Sequence, residues 1–449
     1  MSKPAIGFVG LGAMGFGMAT HLVKEGYAVH GYDVFPASIE RFSAAGGIPA
    51  ASLRASAEDK PFYVCMVASA PQVESVLFDS EDGIAQSLPR NATLLIMSTI
   101  PASTAQSLTE RLHTTHNRPD IHVVDAPVSG GAKRAADGTL SIMAGGTTAA
   151  LEAATPLLST LSAPGKLYLV PGGIGAGSNM KMVHQVLAAI HILGASEVQG
   201  LAARLGLDAH ATAERIIRGP GAAWTWMHEN RSPRILGGES EWKPGVSAVT
   251  IILKDAGIIT TSAREHHFPT PLCTTAEQIY LSALLQGYGS HDDAALVRQY
   301  FGGAVAEVDA AGLAAEEKEE RTRLVLDLME AVNLVAAAEA IAFARFLGVD
   351  LHQFYGLVRE AAGGSRVFVT QGLEMIEGRV AEKAPAGAET VDALVARLEA
   401  AVQRARDLHC PLYLGNAALG VLSLARRAGL GAFSSTAVVG LYDGVLGKL

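Results

Sequence analysis

Ala5-Ile-Gly-Phe-Val-Gly10-Leu11-Gly12-Ala13-Met14-Gly15 decides how the first part of this chain is read. Ala5 to Val9 is a short apolar run rich in branched side chains, the pattern of a buried strand, and Phe16 to Glu25 then reads as a helix. Between them the glycines fall at G-x-G-x-x-G spacing. Gly10 permits the turn, Gly12 lets backbone approach a pyrophosphate, and Gly15 lets helix pack closely on strand. The helix N-terminus then offers backbone N–H groups and the positive end of its dipole to phosphates. A second strand-like run, Tyr27 to Tyr32, ends in Asp33, whose carboxylate can accept hydrogen bonds from an adenosine ribose and would repel a 2′-phosphate. Val34 and Phe35 supply no arginine to hold such a phosphate. The sequence therefore favours NAD over NADP, with Gly10, Leu11, Gly12, Ala13, Met14, Gly15 and Asp33 at the cofactor.

Moving outward, Phe62 to Ala68, Thr93 to Met97, Ile121 to Val124, Thr139 to Ala144 and Leu167 to Val170 are further strand-like runs, separated by helical or polar stretches. This alternation predicts a mostly parallel, doubly wound α/β sheet over residues 1–174. Ligands of such sheets sit beyond the carboxyl ends of the strands. Ala68-Ser-Ala-Pro71 is thus expected on the adenine side and Ser98-Thr99-Ile-Pro101 on the nicotinamide side. Asp125-Ala-Pro-Val-Ser129-Gly130-Gly131 offers a hydroxyl and unobstructed backbone N–H groups, chemistry suited to a carboxylate.

Gly175-Ala-Gly-Ser178-Asn-Met-Lys181-Met-Val-His-Gln185 marks the change to an all-helical second part. The glycines make a loop, Ser178 is expected to cap a helix, and apolar residues follow at 180, 183, 187, 190, 194, 198, 201 and 205, a helical stripe. On this reading Lys181 falls in the first turn, where the dipole disfavours a cation, and such a broken local rule points to a working residue.

The motifs GLGAMG, YDVFP, STIP and DAPVSGG, followed by a Gly-x-Gly loop and lysine, resemble in that order the 3-hydroxyisobutyrate dehydrogenase family of β-hydroxyacid dehydrogenases, related to 6-phosphogluconate dehydrogenase. The resemblance covers residues 4–303. It implies that Ser129, Gly130 and Gly131 bind a substrate carboxylate, that Thr99 lies against the cofactor, and that Lys181 is catalytic. Trp224-Thr-Trp226-Met-His-Glu-Asn230-Arg231 resembles the segment approaching the substrate, and Lys254-Asp255 a cofactor-contacting pair. Where the family carries asparagine four residues after the lysine, this chain has Gln185, an amide one helical turn on with a longer reach. Lys181-Met-Val-His-Gln185 is similar to the L-threonate dehydrogenase branch. His184 and His191 share a helical face and read as packing or surface residues.

Residues 316–449 repeat the helical domain of 175–315. Glu197 and Glu339 lie 142 positions apart (339 − 197), as do Gly206 and Gly348, Asp208 and Asp350, His210 and His352, Gly221 and Gly363, Pro269 and Pro411, Gly287 and Gly429, and Tyr300 and Tyr442, with no gap needed. The charged run Glu316 to Arg321 reads as a linker or exposed helix start. At this offset Lys181 becomes Arg323, Gln185 becomes Asp327, Lys254 becomes Ala396, Asp255 becomes Arg397, and the Gly175-x-Gly177 loop becomes Glu317-x-Glu319. Arginine stays charged near neutral pH and cannot shuttle protons. The second copy is thus expected to be structural. The resemblance implies helical domains that pair between subunits. A second copy in the same chain would replace that partner, giving a monomer with an internal pseudo-dimer, or else a homodimer.

Composition bounds the alternatives. With 449 residues and 49% hydrophobic content there is ample material for buried cores. A net charge of −9 without a basic block argues against nucleic acid, and three scattered cysteines, Cys65, Cys273 and Cys410, suit a reducing compartment. No stretch reads as a membrane span and no Cys/His spacing suggests a metal. A cytoplasmic protein is expected, since Ala5 to Val9 leaves no room ahead of it for a signal core, and Gly447-Lys448-Leu449 lacks the serine of a peroxisomal tripeptide.

The resulting expectation is NAD-dependent interconversion of a small β-hydroxy acid and its oxo acid. Lys181 would take the hydroxyl proton and Gln185 would orient the substrate oxygen. Imine reduction and a non-catalytic NAD-binding scaffold are the competing readings, and retention of Lys181 argues against both.

Overall fold

The computed structural model describes residues 3–79, 81–243, 247–308, 310, 312–378, 384 and 387–442; Gly447-Lys448-Leu449 lies outside the described residues. The chain divides into two compact units, Met1–Met182 with Gly348–Gln353, and Val183–Leu347 with Phe354–Leu449.

The first unit is the expected α/β layer structure. Its strands are β1 (Ile6–Val9), β2 (Val29–Tyr32), β3 (Ile48–Pro49), β4 (Phe62–Cys65), β5 (Thr93–Ile96), β6 (His122–Asp125), β7 (Val128–Ser129), β8 (Leu140–Gly146) and β9 (Ser162–Leu169). They lie in the order β3-β2-β1-β4-β5-β6-β8-β7, with β9 on β8. All pairings from β3 through β6 are parallel, whereas β8 runs antiparallel to both β6 and β7 and parallel to β9. Helices cover both faces, so alternate residues of one strand enter different cores. Val64 packs with Phe8, Leu22 and Leu95, while Tyr63 and Cys65 pack with Val9, Leu94 and Leu112. That double burial is why these strands read as continuous apolar runs.

This unit extends past residue 174 into the helix Ala176–Arg204. The helix begins at Ala176, so Lys181 lies in its second turn, and the expected conflict with the first-turn dipole does not arise. The helix also corrects the expectation that no stretch could span a membrane. It is long and apolar enough to do so, yet that apolar window is wholly buried inside the protein. From Met180 to Ala203 every residue is buried, so the helix is enclosed on all faces rather than along one stripe.

In the second unit the helices recur in one order. Ala209–Arg218, Trp226–Gly237, Val249–Glu265, Pro271–Leu285 and the 3-10 turn Asp293–Gln299 are answered by Leu351–Val358, Arg366–Glu377, Val391–Asp407, Tyr413–Ala425 and Ser435–Leu441. The long helix Ala315–Phe346 answers Ala176–Arg204, and Glu316 to Arg321 form its start, exposed except at Arg321. The offset is not gap-free. Thr225 and Ser365 each cap a helix by accepting a backbone N–H three residues on, and these caps are 140 positions apart (365 − 225). The second copy is therefore two residues shorter before this helix, and recovers the 142 offset by Val391.

The two copies hold each other reciprocally. The Glu197 carboxylate accepts the backbone N–H groups of Leu414 and Gly415 at 3.0 and 2.8 Å, and Glu339 accepts those of Leu272 and Cys273 at 2.9 and 3.0 Å. Each acid thus caps a helix of the other copy. Trp226 N–H donates to Gly364 O and Arg366 N–H to Trp224 O, a second reciprocal exchange between the copies. Such self-complementary pairing is the pattern of a two-fold interface between identical subunits.

Candidate active site

In the first unit the glycine loop fits a dinucleotide for steric reasons visible at each position. Gly10 has φ 92°, and a Cβ there would sit 2.2 Å from Met66 O; a Cβ on Gly15 would sit 1.8 Å from Gly10 O. Gly12 by contrast has open space where a Cβ would be, and it is exposed together with Ala13. The first and third glycines serve the turn and the packing, and the second leaves the backbone bare for a ligand. Leu11 is buried and Met14 half-buried.

Asp33, at the end of β2, ties the loop together. Its Oδ2 accepts Leu11 N–H at 2.6 Å and its Oδ1 accepts Phe35 N–H at 3.0 Å. The sequence reading missed Arg41. This residue lies on the helix Pro36–Ala44, stacks over the Phe16 ring at 3.8 Å and donates to Leu11 O at 3.1 Å. A guanidinium therefore does stand near this loop, eight positions after the acid rather than directly following it. Ala68 is exposed after β4, where its N–H donates to Gln72 Oε1, and Thr99 is half-buried after β5.

Ser129 ends β7, buried, and leads into exposed Gly130 and Gly131 at φ 145° and 72°. Both values fall in the region that side chains avoid, so the double glycine is a backbone requirement. Asp125, four residues earlier at the end of β6, is the organising residue that the sequence reading passed over. Its Oδ2 accepts Ser178 N–H and its Oδ1 accepts Ser178 Oγ–H, both at 2.7 Å. Ser178 is thus inside the helix and donates, contrary to its expected role as an accepting cap. The carboxylate of Asp125 caps the helix instead. Full burial pushes the Asp125 carboxyl up to about 6, with the Ser178 hydrogen bonds opposing that rise. A Cβ on Gly177 would lie 2.3 Å from Met143 O, so the first turn of the helix can approach the strands only with glycine there. Lys181, one turn beyond this clamp, is 6% exposed.

In the second unit Gln185 is 9% exposed and donates from Nε2 to Asp255 Oδ2 at 2.6 Å. Asp255 Oδ1 pairs with Lys254 Nζ at 3.2 Å. The Lys254-Asp255 pair, expected at the cofactor, therefore has its acid on the candidate substrate amide. Gln185 Oε1 lies 3.1 Å from His184 Nδ1. Trp226 is half-buried in the first turn of Trp226–Gly237. Asn230 is exposed, and its Oδ1 accepts from Arg231 at 2.8 Å, so its amide oxygen is engaged within its own helix. Arg231 in turn is held by buried Asp293 at 2.8 Å. Trp224 donates its indole N–H to Glu229 at 2.7 Å. Among the described residues no group of three or more His, Cys, Asp or Glu could hold a metal ion.

Residues 5–177 match the family model described as the NAD binding domain of 6-phosphogluconate dehydrogenase. The model described as "NAD-binding of NADP-dependent 3-hydroxyisobutyrate dehydrogenase" matches twice, over residues 175–300 and 320–442. The L-threonate dehydrogenase of Cupriavidus necator is 37% identical over 297 residues, which are 66% of this chain and 96% of that protein. The NAD-dependent L-serine dehydrogenase of Pseudomonas aeruginosa is 31% identical over 65% of this chain and 94% of its own length. Among solved structures, 3-hydroxyisobutyrate dehydrogenase from Salmonella typhimurium superposes with a TM-score of 0.59 at 35% identity, covering 66% of this chain and 99% of that one.

Proposed function

The chain belongs to the 3-hydroxyisobutyrate dehydrogenase family of β-hydroxyacid dehydrogenases, and we propose that it interconverts a small β-hydroxy acid, of the 3-hydroxyisobutyrate or L-threonate kind, and its oxo acid. The observation that carries this reading is Lys181, buried to 6% exposure on a helix clamped by Asp125, the strand-end residue that leads into the Ser129-Gly130-Gly131 loop. Ser129 and the two glycine N–H groups hold the substrate carboxylate and so fix which carbon is presented for reaction. Lys181 takes the proton of the hydroxyl oxygen during oxidation and returns it during reduction. Gln185, held by Asp255, orients that oxygen. The nicotinamide cofactor supplies the hydride acceptor or donor. The Gly10–Gly15 loop and Asp33 would hold its pyrophosphate and ribose, with Ala68 and Thr99 beside them.

NAD is the preferred form on this reading, because the Asp33 carboxylate repels a 2′-phosphate. Arg41 is a nearby feature that favours the phosphate, and it is already engaged with Phe16 and Leu11 O. Residues 1–174, 175–315 and 316–449 act as cofactor domain, catalytic helical domain and structural copy, the last standing in for a partner subunit's helices.

The deciding experiment is NAD(P)H formation at about 340 nm with NAD and NADP in parallel, across 3-hydroxyisobutyrate, L-threonate, D-glycerate, 4-hydroxybutyrate and L-serine. Turnover with NAD that vanishes in Lys181→Ala supports the assignment. Asp33→Ser should narrow the preference for NAD by at least about tenfold, the worth of roughly 1.4 kcal/mol. An NADP preference in the unmodified enzyme would overturn the cofactor reading.

A further inference from the structure

We infer that His184 is a positioning residue for the Gln185 amide and that the second helical copy sets it through the backbone N–H of Gly363. This rests on the hydroxy-acid reading above.

His184 is fully buried, and Gly363 N–H donates to its Nε2 at 3.2 Å. A backbone N–H can only donate, so Nε2 must present its lone pair and the ring proton of the neutral imidazole must sit on Nδ1. Nδ1–H then donates to Gln185 Oε1 at 3.1 Å. At the other end of the amide, Gln185 Nε2 faces the Asp255 carboxylate at 2.6 Å, a group that accepts when ionised. Both neighbours therefore demand one orientation, oxygen toward His184 and nitrogen toward Asp255. A flipped amide would set oxygen against carboxylate and N–H against N–H. Gln185 is thereby committed to meeting a substrate oxygen as an N–H donor, which suits an oxygen that gains negative character as its proton leaves for Lys181.

The donor at the start of this relay comes from the second copy and is backbone. A Cβ on Gly363 would lie 3.1 Å from Leu187 Cβ and 3.4 Å from His184 Cδ2, tighter than ordinary contact at the first of these. A side chain there would ask Leu187 to give way by a few tenths of an ångström. The neighbouring Thr225–Ser365 bridge between copies, with its exchange of hydrogen bonds, anchors Gly364 and so holds the approach in place. The mirror position of His184 is Leu326 (326 − 184 = 142), which can make no such bond, and the mirror of Gln185 is Asp327, which pairs with Arg397. The relay exists only in the copy that carries the lysine. It gives a copy without catalytic side chains a part in turnover.

The test compares His184→Phe, which fills the space without hydrogen bonds, with His184→Asn, whose side-chain N–H can stand where Nδ1–H stood. With L-threonate and NAD, kcat of His184→Phe should fall at least tenfold while KM for NAD stays unchanged, and His184→Asn should recover to within a few-fold of the unmodified enzyme. Nitrogen-15 histidine spectra of the intact ligand-free protein, with the His184 signals assigned by their loss in His184→Asn, should show the Nδ1–H tautomer at neutral pH. An Nε2–H tautomer, or equal kcat in the Phe and unmodified enzymes, would overturn the relay. Absence of turnover by the unmodified enzyme on every hydroxy acid would instead overturn the reaction assignment, with the spectra still deciding the tautomer.

Discussion

At equivalent places in the two helical copies, one helix buries Lys181 to 6% exposure while its counterpart leaves Arg323 exposed. One turn on, Gln185 donates to Asp255, and in the mirror site Asp327 pairs with Arg397, each pair spanning 70 positions. The second pairing is an ordinary ion cluster, for Arg397 also engages Glu330 and Glu389. What has been retained in both copies is the mutual capping by Glu197 and Glu339. The contrast separates two demands that a single copy would confound. Chemistry requires particular side chains, whereas association requires only that the facing surfaces remain self-complementary.

The most severe way to break this comparison is to remove the second copy. Deleting residues 316–449 would leave Glu197 without the Leu414 and Gly415 N–H groups and expose the enclosed helix Ala176–Arg204 to water. A buried carboxylate stripped of its partners and a wide apolar face are both strongly unfavourable. The expected outcome is insoluble or unfolded protein. A soluble, active fragment with unchanged assembly in sedimentation would show that the copy is no substitute partner.

Next in size is the lysine comparison. Lys181→Ala should cost about 10²–10⁴-fold in kcat, the usual worth of a general acid–base group. Arg323→Ala should leave turnover as it was. Comparable losses in both variants would mean that the second copy still performs chemistry. Smaller again is the acid comparison. Asp255→Asn removes a charge-assisted bond worth roughly 1.5–3 kcal/mol, so kcat should fall about 10- to 100-fold. Arg397→Ala, at a site half open to solvent, should lower stability by on the order of 1 kcal/mol and spare kcat. Steady-state rates and urea midpoints on the same preparations separate the two effects.

The parts of this molecule that could be read from sequence are those fixed by short-range rules. Gly10, Gly12, Gly15 and Asp33 announce themselves because the turn, the helix start and the strand end lie within one β-α-β unit. The repeat was legible because Glu197 and Glu339, Asp208 and Asp350, Pro269 and Pro411 and Tyr300 and Tyr442 all recur 142 positions apart. Asp125 escaped notice because its partner, Ser178, is brought to it only when strand and helix meet in three dimensions. An acid at a strand end, ahead of a helix with no acidic residue in its first turn, was the available signal. The two-residue slip escaped because Thr225 and Ser365 differ in identity, though either hydroxyl makes a cap. β3 and β7, two residues each, are too short for any period to show. His184 looked like core because its burial is real; its hydrogen bond to Gly363 depends on a contact between the copies.

The finest comparison concerns what both copies kept. Full burial raises Glu197 and Glu339 to about 7 each, against the pull of the backbone N–H groups that they accept. Both values lie above the usual 4.5 of an exposed glutamate, so the folded chain binds protons that the unfolded chain has released. The stability they confer is therefore complete below about pH 4.5 and lost as pH rises through about 7. Asp125 acts with the same sign, but it is common to the proteins compared and cancels. Urea unfolding at pH 5 and pH 8 should show the unmodified protein losing more stability over that interval than Glu197→Gln/Glu339→Gln, whose amides do not titrate. The two single variants should each remove a similar share, because each acid caps the other copy's helix in the same way. Parallel pH profiles for the unmodified and double-variant proteins would sink the argument. A share carried by one glutamate alone would show that the reciprocity is geometric and not energetic, with one copy already drifting from the symmetric arrangement as Arg323 and Asp327 have done.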